Sequence, residues 1–183
     1  MRPGEAEGPG DRAGLPAGGV ATVPEPAGYR MDEYRAPTPA ALAGATTVDT
    51  MGAKALFTAG QAVFVDTLPR APRPKGLPET TIWRPKVRND IPGSIWLVDT
   101  GYGALAPEME HYFFEGLSRA TLGDKAKPVL FYCLSECWMS WNAAKRAMAA
   151  GYTAVHWYPE GTDGWAANGL PLERREPEPR PDE

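Results

Sequence analysis

The chain has 183 residues, including 20 glycines and 20 prolines, and a net charge of −4 at pH 7. This length fits one domain with a hydrophobic core, and the acidic balance argues against general binding to nucleic acid or to anionic membranes. No apolar run approaches the length of a membrane span. The two cysteines stand four positions apart, which is not the disulfide framework of a small secreted domain.

The first third of the chain predicts a short strand, a helix and a second strand after an unstructured start. Residues 1–28 show no signal-peptide pattern and too few apolar side chains to offset the entropy of ordering, so we predict a disordered leader. Residues 45–49 favour a short strand. Thr50 is the predicted cap of a helix that ends at Gly60. The continuous apolar run at 62–66 predicts a buried strand.

A proline-rich segment follows at 68–92, and we call it the basic loop. Its six prolines exclude a regular helix or a central strand. Long ordered loops are often functional, and two interpretations stay open: a solvated face that aids solubility, or a site that binds an anion or a partner. The candidate anion-binding residues are Arg70, Arg73, Arg84, Lys86 and Arg88.

The second half of the chain alternates predicted strands and helices. Apolar runs at 95–98 and 129–132 predict two strands, and Pro107 is well placed in the first turn of the helix between them. The next helix is predicted from Ser140 to Ala150. Alternation of this kind favours an α/β fold with a parallel sheet that is covered by helices on both faces.

The chain ends with a predicted last strand at 154–157, a glycine-rich turn at 161–164 and a charged, proline-rich tail at 174–183. The composition of the tail predicts disorder. Sites of parallel sheets form where loops leave the carboxyl ends of strands. The basic loop and the segment with the cysteines both leave such ends, so we predict that they share one edge of the sheet.

Both cysteines lie in a segment between a predicted strand and a predicted helix, which we call the cysteine loop. A helix N-terminus favours the thiolate form of a cysteine, so Cys133 is the candidate nucleophile and Cys137 its candidate partner. A disulfide between them requires a non-helical loop, because i,i+4 geometry in a helix would stretch the bond. Two buried structural cysteines are the alternative. The other candidate site residues in the loop are Leu134, Ser135, Glu136, Trp138, Met139 and Ser140.

A metal site is a further hypothesis for the same loop. Two thiolates suit a soft ion such as Cu(I), and His111 or His156 would have to supply a third ligand. Zinc requires more ligands than the chain concentrates here. We therefore predict no resident metal.

The cysteine loop and three other segments resemble rhodanese domains. In residues 131–152, Cys133 follows an apolar strand and precedes an alanine-rich helix, as in the active-site segment of that family. Residues 63–66, 90–94 and 161–172 resemble three further rhodanese segments in the same order. The resemblance implies a rhodanese-like α/β domain, with a parallel sheet flanked by helices.

This resemblance covers residues 29–173 and sets the bounds of the predicted domain between the leader and the tail.

Two acidic residues are candidate supports of the site. Asp66 ends the second predicted strand, and we predict that it hydrogen-bonds to backbone near the site. We expect Asp163 to cap or tie the glycine-rich turn.

A closer resemblance is to proteins that are associated with catabolism dependent on pyrroloquinoline quinone (PQQ) and that carry a Cys-x-x-x-Cys-Trp motif. Cys133, Cys137 and Trp138 supply that motif. The resemblance implies bacteria that oxidise alcohols with periplasmic quinoprotein dehydrogenases. It therefore implies a periplasmic location, association with PQQ, and a partner that is a PQQ-dependent alcohol dehydrogenase or its cytochrome or transport protein.

The cysteine loop also departs from ordinary rhodaneses. Glu136 stands where they carry a glycine, and Trp138 and Met139 stand where they carry a cation. A carboxylate beside a thiol disfavours the thiolate and would repel thiosulfate. We therefore predict a thiol-redox or sulfur-carrier site. A non-enzymatic module that binds PQQ, a soft metal or a quinoprotein partner is the alternative, and a thiosulfate sulfurtransferase is less favoured.

Tryptophans cluster around the predicted site. We expect Trp141 and Trp157 to pack in the core between helix and sheet. Trp138 is placed in the loop by the sequence, so we expect it to close a pocket or to stack on a flat ligand.

Overall fold

The computed structural model describes residues 22–183, so most of the predicted leader lies outside the described residues. Seven strands and four helices occur in that part of the chain. In chain order they are β1 (Thr46–Thr47), α1 (Thr50–Ala59), β2 (Val63–Asp66), β3 (Arg88–Asp90), β4 (Ile95–Trp96), α2 (Pro107–Thr121), β5 (Val129–Tyr132), α3 (Trp138–Ala149), β6 (Val155–Tyr158), α4 (Gly161–Ala167) and β7 (Glu173–Arg175).

Five strands form one parallel sheet in the order β1-β6-β5-β2-β4, and β3 and β7 form a separate antiparallel pair. β5 lies in the middle of the large sheet, and all four of its residues are buried. A strand that is paired on both sides and covered on both faces must be apolar throughout. The predicted α/β fold with a parallel sheet is therefore confirmed.

The two faces of the sheet carry different hydrophobic cores because successive strand residues point in opposite directions. Phe131 and Trp157 belong to the core that contains residues of α2 and α3. Leu130 and Tyr158 belong to the core that contains residues of α1 and α4. No helix in the described part of the chain is both long enough and apolar enough to cross a membrane.

Local boundaries differ from the predictions at three places. Asp49 caps α1, since its carboxylate accepts the N–H of Gly52 at 2.8 Å, and Thr50 is the first helical residue. The helix α3 begins at Trp138 instead of Ser140. The predicted glycine-rich turn at 161–164 is the first part of α4.

Both predicted disordered segments are packed where the structure describes them. Lys145 on α3 donates to the carbonyls of Ala27 and Gly28, at 3.0 Å and 2.7 Å. In the tail, Arg180 forms an ion pair with Asp99 at 2.6 Å, and its side chain is only 2% exposed. The composition of these segments did not predict such contacts, because each contact depends on a single charged side chain. The strand β7 also shows that β6 is not the last strand.

Candidate functional site

The cysteine loop lies at the carboxyl end of the central strand, where β5 ends and α3 begins. The structure joins Cys133 and Cys137 in a disulfide, with their Cα atoms 6.3 Å apart. Residues 133–137 are not helical, as the disulfide hypothesis required. Glu136 allows the tight return of the chain by adopting a φ of 49°, in the left-handed region. The sequence-predicted cysteine pair is therefore brought together.

The disulfide is buried. Cys133 and Cys137 are 0% and 1% exposed. They form a small apolar cluster with Met139, against which Tyr34, Leu68, Tyr102 and Leu134 pack. An external thiol must therefore displace part of this cover before it can reach either sulfur.

An N-terminal segment supplies part of the cover, and we call residues 29–37 the arm. The carbonyl of Tyr34 accepts the backbone N–H of Trp138 at 2.8 Å, and Arg35 forms an antiparallel bridge with Cys137. The phenol oxygen of Tyr34 accepts the N–H of Gly103 at 3.1 Å. The arm thus connects the start of α3 to the segment that follows β4, a role that sequence reasoning missed.

The carbonyl of Cys133 is the anchor of the loop. It accepts the N–H of Thr162 at 3.0 Å and lies 3.4 Å from Nη2 of Arg88. Arg88 in turn donates to both carboxylate oxygens of Asp66, at 2.7 Å and 3.0 Å, and to Oγ1 of Thr162 at 3.0 Å. These contacts fix the backbone at the end of β5 to the neighbouring strand and to α4.

Arg88 and Asp66 are both buried. Burial alone would lower the pKa of Arg88, but the contact with Asp66 outweighs it and raises the pKa. Asp66 also accepts the N–H of Leu68 at 3.0 Å, which is the backbone contact that the sequence predicted for it. The sequence makes Arg88 a candidate anion-binding residue of the basic loop, whereas the structure pairs it with the buried carboxylate of Asp66.

Asp163 stabilises the other side of the cysteine loop. Its Oδ2 accepts both the backbone N–H and the hydroxyl of Ser135, at 2.9 Å and 3.0 Å. The prediction placed its bond within the glycine-rich turn, whereas the structure directs it from α4 to the loop. Asp163 therefore supports the cysteine loop by holding Ser135.

Trp138 is 1% exposed and belongs to the core. Its Nε1 donates to the carbonyl of Pro37 at 3.2 Å, and its ring packs edge-on against Trp141. The expectation that it stacks on a ligand or closes a pocket is wrong, because α3 begins at this residue and turns it inward. Trp157 lies in the same core, and its Nε1 donates to Oγ of Ser140 at 3.0 Å.

The metal hypothesis finds no third ligand in the described residues. They contain no group of three or more histidine, cysteine, aspartate or glutamate side chains that could hold an ion. His111 lies exposed on α2, 3.4 Å from Glu115. His156 lies in β6. Neither histidine forms a donor set with the two cysteines.

The basic loop and the cysteine loop meet at one edge of the sheet, as predicted. A cavity of about 420 Å³ lies between them, and we call it the side cavity. Arg70, Lys86 and Arg88 line it, together with Leu134 of the cysteine loop. Arg73 lies elsewhere, in a cavity that includes Glu183. Arg84 is exposed and does not line the side cavity.

Fold and site together define an α/β domain with a cysteine pair at the central strand-to-helix turn. The rhodanese-like domain model matches residues 53–168, so the chain belongs to the rhodanese-like family. No curated protein matches the chain significantly.

Several solved structures resemble the chain. A thiosulfate sulfurtransferase from Pseudomonas aeruginosa is 19% identical, with a TM-score of 0.49, over 73% of this chain and 21% of its own. The chain therefore corresponds to about a fifth of that protein. A rhodanese-like domain from Anabaena sp. is 16% identical, with a TM-score of 0.45, over 75% of this chain and 88% of its own. At these identities the likeness concerns the fold and not the substrate.

Proposed function

We propose that this rhodanese-like protein works through a reversible disulfide between Cys133 and Cys137, as a thiol-redox or sulfur-carrier protein. The observation that carries the proposal is the disulfide at the strand-to-helix turn, where the resemblance to rhodanese domains places their nucleophile. In the reduced form Cys133 is the nucleophile, and Cys137 is the resolving thiol that lies within bonding reach.

The redox step balances with a dithiol as the co-reactant. One thiolate of the dithiol attacks a sulfur of the disulfide, and the Cys133–Cys137 bond breaks to leave a mixed disulfide. The second thiolate of the dithiol then attacks the mixed disulfide and releases the reduced protein. Two electrons and two protons pass from the dithiol to the cysteine pair.

The sulfur-carrier version starts from the reduced protein. The Cys133 thiolate attacks the sulfane sulfur of a donor such as a low-molecular-weight persulfide, the S–S bond of the donor breaks, the donor leaves as a thiolate, and Cys133 becomes a persulfide. Cys137 then attacks the inner sulfur, which forms the disulfide and releases hydrosulfide. The disulfide is therefore the product of this step as well, and a thiol must reduce it before the next turnover.

Ordinary thiosulfate sulfurtransfer is less favoured, and two backbone contacts support this ranking. The N–H of Ser135 donates to Asp163, and the N–H of Trp138 donates to the carbonyl of Tyr34. These donors of the loop are occupied by the protein itself and not by a sulfur anion. Glu136 is exposed beside them and would repel a dianion.

Intact-mass spectrometry of the full chain tests the proposal. We expect the protein as purified to lack two hydrogens relative to the dithiol, and to regain them on treatment with a dithiol reductant. A sulfane donor added to reduced protein should give a one-sulfur adduct in Cys137→Ser and none in Cys133→Ser. A protein that neither forms the bond under mild oxidation nor takes up sulfur would contradict the proposal.

The biological setting is part of the same proposal. A disulfide that forms again after each reduction suits an oxidising compartment such as the periplasm, and the Cys-x-x-x-Cys-Trp motif resembles proteins of PQQ-dependent alcohol catabolism. We propose a quinoprotein alcohol dehydrogenase or one of its cytochrome or transport partners as the protein served. Because Trp138 is buried, the proposed association with PQQ rests on the positive charge of the basic loop. Calorimetric titration with PQQ should give saturable heat, and its absence would remove PQQ from the proposal.

A further inference from the structure

The side cavity lies beside the disulfide but does not contain it. Its lining includes Leu134, Thr162, Asp163 and residues of the basic loop, but neither cysteine, although Leu68 and Leu134 also pack against the disulfide cluster. A volume of about 420 Å³ lies within the range of pockets that hold small organic ligands. A ligand in this cavity would therefore contact the cover of the disulfide and not the sulfur atoms themselves.

Apolar side chains form much of the cavity, and some remain exposed at its rim. Leu68, Leu134 and Trp96 line it, and Trp96 is almost fully buried. Val87 and Leu172 also line it and are 54% and 36% exposed. Exposed apolar side chains at a concave site, rimmed by charge, are typical of ligand binding.

Two cations of the cavity lack full partners. The guanidinium of Arg70 lies over the ring of Trp96 at 5.0 Å, its side chain is 13% exposed, and its buried Nε has no hydrogen-bond partner among the described residues. Its nearest carboxylate is that of Glu176 at 3.7 Å, beyond hydrogen-bond distance. Lys86 is exposed and makes no hydrogen bond or ion pair with the described residues. An anionic group in the cavity would supply a partner to the exposed part of the Arg70 guanidinium and to Lys86.

The other charges limit the ligand to a single negative group. Arg88 donates to Asp66 and Thr162, so it is already occupied. Asp163 also lines the cavity, and its carboxylate is exposed. A second negative group on the ligand would face Asp163 and be repelled. The remainder of the ligand lies against leucine and tryptophan side chains and must be apolar.

We propose that the side cavity binds a small organic acid with one carboxylate and an apolar body. The carboxylate lies at Arg70 and Lys86, and the apolar body lies against Trp96, Leu68 and Leu134. This site goes beyond the thiol function and stands whether or not the disulfide is reversible.

Calorimetric titration of the full chain tests the site. The probe is naphthalene-2-carboxylate, and the neutral comparison is 2-naphthalenemethanol, which has the same ring system. We expect saturable binding of the acid and affinity at least tenfold weaker for the alcohol. Lys86→Glu should weaken binding of the acid by about tenfold or more, a change of about 1.4 kcal/mol.

The matched control is Arg84→Glu, on the same loop, with the same change of charge but outside the cavity. We expect it to alter the affinity by less than about twofold, because exposed charges at a distance are screened by salt. Both variants should unfold at the same temperature as the parent, since both side chains are exposed. No saturable binding, equal binding of acid and alcohol, or equal effects of the two variants would each overturn the proposal.

Discussion

Asp90 is a buried carboxylate with an incomplete set of partners. It is 0% exposed, its Oδ1 accepts a hydrogen bond from Nε of Arg175 at 3.3 Å, and its Oδ2 has no partner among the described residues. Burial, and next the negative charge of Asp66, raise the pKa of Asp90 to about 7. The core therefore favours the protonated acid, and ionisation of Asp90 opposes folding.

The sign of the pH dependence follows from this raised pKa. Between the ordinary value of 3.8 and about 7, the folded state holds the proton more tightly than the unfolded state, so the free energy of unfolding falls as pH rises through this window. Asp90→Asn should remove that loss. Relative to the parent, the variant should gain up to about 4 kcal/mol as pH rises from about 4 to 8, at about 1.4 kcal/mol per pKa unit.

Urea unfolding of parent and variant across this pH range measures the effect. Glu79→Gln on the basic loop is the control, because Glu79 is exposed and its substitution should leave the pH dependence unchanged. A parent–variant difference that stays constant with pH would contradict the account of Asp90.

At the scale of elements, the arm covers part of the disulfide. Besides Tyr34 and Arg35, it is held by Asn142 on α3, whose side chain accepts the N–H of Arg30 at 2.9 Å and donates to its carbonyl at 2.8 Å. The ring of Tyr34 packs edge-on against Tyr102 at 5.3 Å. A peripheral segment of this kind opens locally without global unfolding of the domain. Reduction of the disulfide should therefore proceed through opening of the arm.

Tyr34→Ala should speed reduction of the disulfide by dithiothreitol. The variant loses the ring contact with Tyr102 and the bond from Gly103, so the open state becomes more populated, and a loss of about 1.4 kcal/mol corresponds to a tenfold faster reaction. Thiol release over time measures the rate. Asp32→Ala is the control on the same arm, because its side chain is exposed. Equal rates in all three proteins would show that the arm does not limit access.

At the scale of the whole molecule, the C-terminal segment is part of the folded domain. The N–H of Glu178 donates to the carbonyl of Trp96 at 2.9 Å, and Nη1 of Arg180 donates to the carbonyl of Arg70 at 2.7 Å. Arg180 also forms the ion pair with Asp99. The segment thus holds two residues that line the side cavity.

Arg180→Ala should destabilise the whole domain, because Asp99 is 8% exposed and would be left as an unpaired charge. Breaking a buried pair in this way costs about 3–5 kcal/mol. Arg174→Ala is the matched control, since its side chain is 69% exposed and its ion pair should contribute less than about 1 kcal/mol. Urea unfolding compares the two. Equal stability of both variants would indicate that the tail contributes little.

The sequence predicted the sheet well because the strands β2 and β5 are local apolar runs that need no distant partner to be recognised. It also located the cysteine pair, since both cysteines lie within one loop. It missed the ion pair between Arg88 and Asp66, which are 22 residues apart. An arginine in a proline-rich segment gives the same sequence pattern whether it faces solvent or a buried carboxylate. It misplaced Trp138 because α3 begins at this residue and not at Ser140. The earlier start places the Trp138 side chain in the core instead of in the loop.

The anchored carbonyl of Cys133 makes the two halves of the disulfide unequal in mobility. Thr162 and Arg88 fix the backbone of Cys133 to the sheet and to α4, whereas Cys137 is connected to the start of α3 and to the arm. When the bond is broken, we expect one sulfur to keep its place and the other to move. A change of redox state should then displace the arm and the start of α3 before it displaces the sheet.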